Sequence, residues 1–204
     1  MPLFYQHNIN HTTKLAIWHI TETEDFFLRK VPIHNSITHW HKRLQHLAGR
    51  YLLQELYPGF PYHLIEIADT KKPFLPGEKY HFSISHCGDY AASIVSEKKR
   101  VGIDIELITP KIELIKHKFL SEAEMLIVEK NNLQQLTLLW SCKEAMFKWY
   151  GNGGLDFKKN MIVKKISMNY DHGTVNCLFS KEEERKLKIN FSFFEKLSLA
   201  WIAE

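Results

Sequence analysis

Asp104 and Glu106 close the run "VGIDIE" at residues 101–106. Val101, Ile103 and Ile105 read as a buried strand. Side chains two apart on a strand share a face, so the two carboxylates lie close together. Like charges that close repel one another unless a cation sits between them. Taken alone, the pair is commonly no more than two solvated acids at a strand's end. Glu144 adds a third acid. It lies in "WSCKEAMFKWYG", on a helix with Trp140, Phe147 and Tyr150 as apolar neighbours. Three carboxylates from a strand end and a facing helix make a hard-oxygen site. Such a site suits Mg²⁺, with Mn²⁺ as the alternative ion, and leaves positions for water and substrate phosphates. The plainer role for Glu144 is an i,i+4 pair with Lys148, worth only about 0.2–0.5 kcal/mol.

Basic residues complete the pattern. Lys143 and Lys148 flank Glu144, and Arg43, Arg50, Lys72 and His86 lie in the first half. Each alone reads as a solvated charge. Magnesium-type acids beside fixed bases describe something narrower: a bound pyrophosphate, with Lys or Arg neutralising what the metal does not. Ser85 and His86 end the apolar part of "SISHCGDY". A histidine at a strand end is more often structural than functional. No GxSxG elbow is present, which argues against a hydrolase triad. His39 and His41 are two apart on a helix and so share no face for a metal.

These residues need elements to hold them. "KLAIWHI" at 14–20 reads as a strand. Residues 36–57 read as a helix, because Trp40, Leu44, Leu47, Ala48, Tyr51, Leu52 and Leu56 recur at offsets of three and four. Ser36 is its expected N-cap and Pro58-Gly59 its stop. Arg43 and Arg50, seven apart, project from roughly one side. Extended stretches follow at 63–68, 80–96 and 100–106, with turn chemistry in "TKKPFLPGEK" and "HCGD". Ser121 with Glu124 fits a capping box opening a helix. Residues 133–150 form a further helix stopped by "GNGG", and "MIVKKISM", "TVNCLFS", "KLKINFSFF" and "KLSLAWIA" read as a strand meander. "KIELIKHKFL" at 111–120 sets Ile112, Ile115 and Phe119 between lysines, either as an amphipathic helix facing the core or as a docking surface. The order predicts an α+β fold of two halves, 1–103 and 104–204.

The chain has 204 residues, 45% hydrophobic and 25% charged, which is ordinary globular composition and enough for a sizeable core. A net charge of +4 favours anionic partners but does not by itself imply nucleic acid, and no RRM, KH or helix-turn-helix signature is present. Three cysteines without CxxC spacing argue against a disulfide framework or a zinc site, and make a reducing cytoplasm the expected home. The N-terminus lacks the apolar core of a signal peptide, and no run approaches a membrane span.

Four motifs in fixed order carry a resemblance. "VGIDIE" supplies Val101, Gly102, Asp104 and Glu106. "WSCKEAMFKWYG" supplies Trp140, Lys143, Glu144, Ala145 and Lys148. Lys72-Pro73 follows Lys71, which stands where Gly is usual, and Ser83, Ser85 and His86 form the fourth element. Together, over residues 71–151 and more weakly over the helix at 43–50, they resemble the 4′-phosphopantetheinyl transferase superfamily. The length resembles its Sfp-type class, in which two similar α/β halves pack as a pseudo-dimer within one chain and the active site lies at their interface.

The resemblance implies transfer of phosphopantetheine from coenzyme A to a serine of an apo acyl, polyketide or peptidyl carrier protein, with release of adenosine 3′,5′-bisphosphate. It implies that Asp104, Glu106 and Glu144 hold Mg²⁺ against the coenzyme A pyrophosphate. Lys148 would steady the leaving group, and Glu144 would act, directly or through water, as the base. Arg43, Lys72, Ser85 and His86 would contact the nucleotide end, with Arg50 as the alternative to Arg43 and Lys143 as a further contact. A monomer with no nucleic-acid or membrane partner is expected. The rivals are a member that binds coenzyme A or carrier without catalysis, and a magnesium-dependent phosphohydrolase using the same acids.

Overall fold

The computed structural model describes residues 2–31, 37–77 and 79–204. The chain forms two compact units. One comprises Met1–Ile103 with Ala203–Glu204, the other Asp104–Ile202.

The first unit is a four-stranded antiparallel sheet with one long helix packed against it. The strands are β1 (Leu3–Asn10), β2 (Thr13–His19), β5 (His81–Cys87) and β6 (Tyr90–Ser96), in the order β1-β2-β6-β5. A short α1 (Glu24–Leu28) precedes the long α2 (Trp40–Leu56), and β3 (Glu66–Ile67) pairs with β4 (Pro73–Phe74) as a separate ribbon. The predicted apolar face of α2 packs with Ala16, Trp18, Phe82 and Ala91 of the sheet through Leu47, Ala48, Tyr51, Leu52 and Leu56. Trp40 departs from that face and stands 66% exposed at the helix's first turn. The expected cap, Ser36, lies outside the described residues. His39 occupies the cap position, its ring accepting from the Lys42 amide.

Gly49 shows why α2 sits where it does. A β-carbon there would lie 2.5 Å from the γ2 methyl of Ile84 on β5, and Ser93 of β6 donates 2.8 Å to the Gly49 carbonyl. Only the absent side chain lets helix and sheet approach so closely. The helix is also tied to the β5–β6 turn, where Gln45 donates 2.8 Å to the Gly88 carbonyl and His41 meets Asp89 at 3.0 Å. Two elements of this unit carry no sequence signal. β1 is exposed on both faces and lacks alternation, and α1 is only five residues long.

The second unit begins within β7 (Val101–Leu107), between Ile103 and Asp104. α3 (Lys111–Phe119), α4 (Glu122–Met125) and α5 (Leu133–Tyr150) follow, then β8 (Met161–Asn169), β9 (His172–Ser180), β10 (Glu184–Phe194) and β11 (Leu197–Ala203). The sheet order is β7-β11-β10-β9-β8. The predicted bounds of α5 match the helix at both ends. Asn132 caps it by accepting from the Gln135 amide at 3.0 Å, and Gly151 stops it at φ 79°, where a side chain would be strained. α5 is buried on most of its circumference, with Leu138, Leu139, Cys142 and Met146 packed among Met161, Val175 and Phe191 of the sheet. The capping box of Ser121 and Glu124 is present, but the helix it opens runs only four residues.

The observed class is therefore mixed α and β, with a long helix against an antiparallel sheet in each unit. No helix among the described residues is long and apolar enough to cross a membrane, and no disulfide forms among them.

Candidate active site

β7 and α5 bring the three acids of the second unit to one place. Asp104 is almost fully buried and accepts 2.7 Å from Lys148 Nζ. Glu106, two residues on, accepts 3.0 Å from the indole N–H of Trp140. Glu144 lies between Trp140 and Lys148 on α5, one turn from each. So "WSCKEAMFK" is spaced to meet a strand: Trp140 takes the outer acid, Lys148 the inner one, and Glu144 falls between them.

Around the Lys148 ammonium the described residues gather three carboxylates. Burial raises the Glu144 carboxyl to about 7 and the Asp104 charge adds to it, with Lys148 pulling the other way. Burial likewise pushes Glu106 up to about 7, and Asp104 and Glu144 add repulsion that the Trp140 hydrogen bond and Lys148 only partly offset. Two carboxyls held near neutrality can exchange protons at physiological pH and have spare capacity for positive charge. Among the described residues, no three His, Cys, Asp or Glu side chains are gathered into a ready-made metal cage. The donor chemistry, all carboxylate oxygen in negative excess, fits a hard divalent ion that keeps most of its water.

Lys143 is a correction. It was expected to contact coenzyme A, yet its side chain is 0% exposed. Its ammonium donates to Glu124 Oε1 at 2.6 Å and to the carbonyls of Phe119 and Phe157 at 2.7 and 2.8 Å. Three donors meet three acceptors, so none remains for a ligand. Glu124 is equally occupied: Oε1 also accepts from the Val163 amide at 2.8 Å, and Oε2 from the Ser121 amide and hydroxyl at 2.9 Å each. The capping box, legible in the sequence, thus does a second task. It locks α5 to α4, to β8 and to the end of α3. That lock fixes which way the next residue, Glu144, points.

In α3, Ile112 and Phe119 are buried and Ile115 packs against the core. The three apolar residues considered for docking therefore face inward, and Leu114 is the one presented to solvent, 74% exposed.

The first unit holds the remaining candidates. Arg43 donates through Nε at 2.9 Å and through Nη2 to Glu24 of α1, and through Nη1 at 3.3 Å to the Ile37 carbonyl. Arg50 has a different neighbour, His46, with Nη1 at 3.4 Å from Nδ1. His46 and His86 lie with ring centroids 5.4 Å apart. Ser85, beside His86, is buried on β5. His46 went unread as a candidate, although the HxxxR spacing of His46 and Arg50 sets both on one helical face. Lys72 precedes β4, and burial, with the nearby Arg100 charge second, lowers its ammonium to about 8. Lys71 has φ 65°, the left-handed region in which glycine is at ease.

A strand-borne Asp-x-Glu faced by a helical Trp-x-x-Lys-Glu-x-x-x-Lys thus brings carboxylates, an indole N–H and an ammonium to one place. Residues 100–200 match the 4′-phosphopantetheinyl transferase superfamily, and over this stretch the chain belongs to it. The 4′-phosphopantetheinyl transferase AcpT of Escherichia coli K12 is 32% identical over 119 residues, covering 54% of this chain and 59% of that protein. The L-aminoadipate-semialdehyde dehydrogenase-phosphopantetheinyl transferase of Mus musculus is 30% identical over 167 residues, covering 69% of this chain and 54% of that protein. The 4′-phosphopantetheinyl transferase of Bacillus subtilis is 36% identical over 92 residues, 43% of this chain and 41% of that one. The chain thus spans about half the length of the curated relatives it matches.

Proposed function

We propose that this protein transfers 4′-phosphopantetheine from coenzyme A to a serine of an apo carrier protein and releases adenosine 3′,5′-bisphosphate. The observation that carries the reading is the grouping of Asp104, Glu106, Glu144 and Lys148 at the facing ends of β7 and α5, within the stretch that matches the superfamily.

In the reaction, the serine oxygen bonds to the phosphorus bearing the pantetheine arm, and the bond from that phosphorus to the nucleotide's phosphate oxygen breaks with its electron pair. Glu144 takes the serine proton. A carboxyl near 7 suits that task, since at neutral pH it is both substantially ionised and basic enough to hold a proton. Lys148, anchored on Asp104, is assigned to the charge that develops on the leaving phosphate. Trp140 fixes the Glu106 carboxylate. Asp104, Glu106 and Glu144 would hold Mg²⁺, which when bound would neutralise charge on the diphosphate and favour departure of adenosine 3′,5′-bisphosphate. Arg50, Lys72, Ser85 and His86 are assigned to the nucleotide end of coenzyme A. Arg43, engaged by Glu24, is assigned to holding α1 against α2.

The acceptor is read as an acidic carrier protein. Leu114 lies on one helical face with the exposed Lys111 and Lys118, an apolar centre with basic flanks suited to such a partner. The reaction is placed in the cytoplasm.

Intact-mass measurement tests the reading. The protein is incubated with an apo acyl carrier protein, coenzyme A and Mg²⁺, beside an EDTA control and a carrier lacking the target serine. A gain of one phosphopantetheine, absent from both controls, is expected. Coenzyme A cleaved with no modified carrier would replace the transferase by a hydrolase. Binding of coenzyme A with no gain on several carriers would leave a silent binding protein.

A further inference from the structure

Lys143 meets no ligand, yet two of its three acceptors lead back to the acids. Its ammonium takes the carbonyl of Phe119, the last residue of α3, and that of Phe157, in the loop between α5 and β8. The rings of those same two residues lie against Trp140. Phe119 meets the indole edge-on, with centroids 5.1 Å apart and planes at 63°. Phe157 lies nearly flat against it, at 5.5 Å and 16°. Phe147, seven residues along α5 from Trp140, also stacks on Phe157, at 5.9 Å and 22°. These separations are those of favourable aromatic pairs. The one polar atom of the Trp140 side chain is the indole N–H, and it donates 3.0 Å to Glu106 Oε1.

The loop that presents Phe157 has little freedom. The Asp156 amide donates 2.7 Å to the Asn160 side-chain oxygen, and the Asp156 carbonyl accepts 2.8 Å from the Asn160 amide. The Asp156 carboxylate accepts from the amides of Lys158 and Lys159 at 2.8 and 3.0 Å. Asn160 donates 2.6 Å to the Ser180 carbonyl of β9. Phe157 thus sits inside a closed turn, tied to the sheet beyond it and to Lys143 at its own carbonyl. An indole has one donor and no acceptor, so the direction of its ring decides what it can hold. It pivots about two side-chain bonds, and no second polar bond of its own can stop it. Flat rings packed against its face and edge can.

We infer that Phe119 and Phe157 clamp Trp140, and that Phe157 is a positioning residue for Glu106: through the indole it sets where that carboxylate stands, and so how firmly the acids hold a divalent ion. The inference rests on the metal reading above and deepens it. Each link is a contact of the folded chain: Lys143 grips the two carbonyls, their rings hold the indole, and the indole holds the carboxylate. Groups that orient a ligating side chain matter to the ion although they never touch it, and losing one weakens metal binding by about 10–100-fold. A Phe157 that only filled space would act otherwise. Its replacement by another apolar side chain would change stability and leave Glu106 where it is.

The test uses the full chain and two measurements, neither of them activity. In the first, the Trp140 indole N–H signal is followed by proton–nitrogen NMR and identified by its loss in Trp140→Phe. Phe157→Leu, which keeps an apolar side chain but no flat ring, should move the signal toward that of a solvated indole and speed its exchange with water. Phe157→Tyr should restore both. In the second, Mn²⁺ is titrated and the free ion read by electron paramagnetic resonance. Trp140→Phe and Phe157→Leu should each weaken binding by about tenfold or more. The double variant should bind no more weakly than Trp140→Phe alone, and Phe157→Tyr should bind as the native protein does. Thermal midpoints show which variants fold, and Phe157→Met, more adaptable in shape, replaces a leucine variant that does not. Native Mn²⁺ affinity and an unmoved indole signal in the folded variant overturn the inference and leave the transferase reading standing. Losses that add in the double variant overturn it too, since Phe157 would then act without Trp140. A native protein that takes up no Mn²⁺ would sink the metal reading and the inference with it, while carrier mass judges the transferase reading separately. The non-additive pattern in a protein that modifies no carrier would keep the clamp and sink the transferase.

Discussion

Helix α5 carries two lysine–carboxylate pairs five residues apart, and they are opposites. Lys143 and Glu124 are both sealed from water, matched one to one, and every donor and acceptor is used. Lys148 and Asp104 are joined at nearly the same distance, but Lys148 keeps a quarter of its surface exposed, and two further acids crowd the pair. A closed network has nothing left to offer a ligand. Its unpaired alternative is so unfavourable that it specifies structure instead. An open network in charge excess has a task unfinished. The contrast separates frame from chemistry on one helix, where residue type alone would assign both lysines alike.

The largest expected effects break that contrast from its two sides. Glu144→Gln should lower the rate of carrier modification by two orders of magnitude or more, since it removes the base and one metal oxygen, while the thermal midpoint holds or rises. Lys143→Met should do the reverse in origin: it leaves Glu124 charged and buried, at about 3–5 kcal/mol of stability. Glu124→Gln combined with Lys143→Met should recover part of that loss in chemical denaturation. Full stability in the single Lys143→Met protein would mean that the sealed pair is no frame at all. Next in size is Lys148→Ala. It should slow single-turnover transfer by tenfold or more while changing the coenzyme A dissociation constant less. An effect on affinity alone would demote Lys148 to a binding group.

The same contrast explains what could be read from the sequence. Asp104, Glu106, Glu144 and Lys148 were legible because strand and helix periodicity puts them on defined faces, and α5 announced itself at both ends by Asn132 and Gly151. The fate of Lys143 was not legible. Its partner, Glu124, sits 19 residues away and carried a complete local explanation as a capping residue, so nothing in the spacing called for a second role. The approach of His46 to the His86 ring escaped for a related reason: a glycine whose close contact with Ile84 no one-dimensional pattern encodes brings α2 against β5. β1 failed because an edge strand exposed on both faces has no alternation to detect. Arg43 and Arg50 share a side by spacing, but α1, a five-residue helix with no sequence signal, supplied the acid that separates them.

A smaller effect should appear with pH. Glu106 and Glu144 hold protons up to about 7 in the folded chain, against 4.5 as the ordinary value. The folded state therefore binds more protons than the unfolded one between those limits, and stability must fall as pH rises through that window. Mg²⁺ competes with the protons for the same oxygens, so its stabilising effect should grow as they leave. The thermal midpoint of the metal-free protein should drop from about pH 5.5 to about pH 8, and the increment from Mg²⁺ should be larger at the higher pH. Both trends should shrink in Glu144→Gln. An Mg²⁺ increment that is the same at both pH values would disconnect the acids from the metal, and with it the open half of the contrast.

The smallest effect concerns the loop before Lys72. Lys71 donates its amide to the Ala68 carbonyl at 2.8 Å, and Ala68 donates to the Lys72 carbonyl at 3.0 Å, which closes a tight turn between β3 and β4. That turn forces Lys71 to φ 65°. A side chain in this conformation costs about 1–2 kcal/mol relative to its relaxed state. Glycine escapes the clash but loses more chain entropy on folding, about 0.5–1 kcal/mol. Lys71→Gly should therefore be slightly stabilising, by up to about 1 kcal/mol in chemical denaturation, with coenzyme A affinity unchanged or mildly improved as Lys72 is held more firmly. The exposed Lys71 side chain makes no bond that the change would remove among those the described residues form. If Lys71→Gly instead weakened coenzyme A binding tenfold, Lys71 itself would be the cation that the nucleotide meets, and the half-buried Lys72 would fall on the side of the frame.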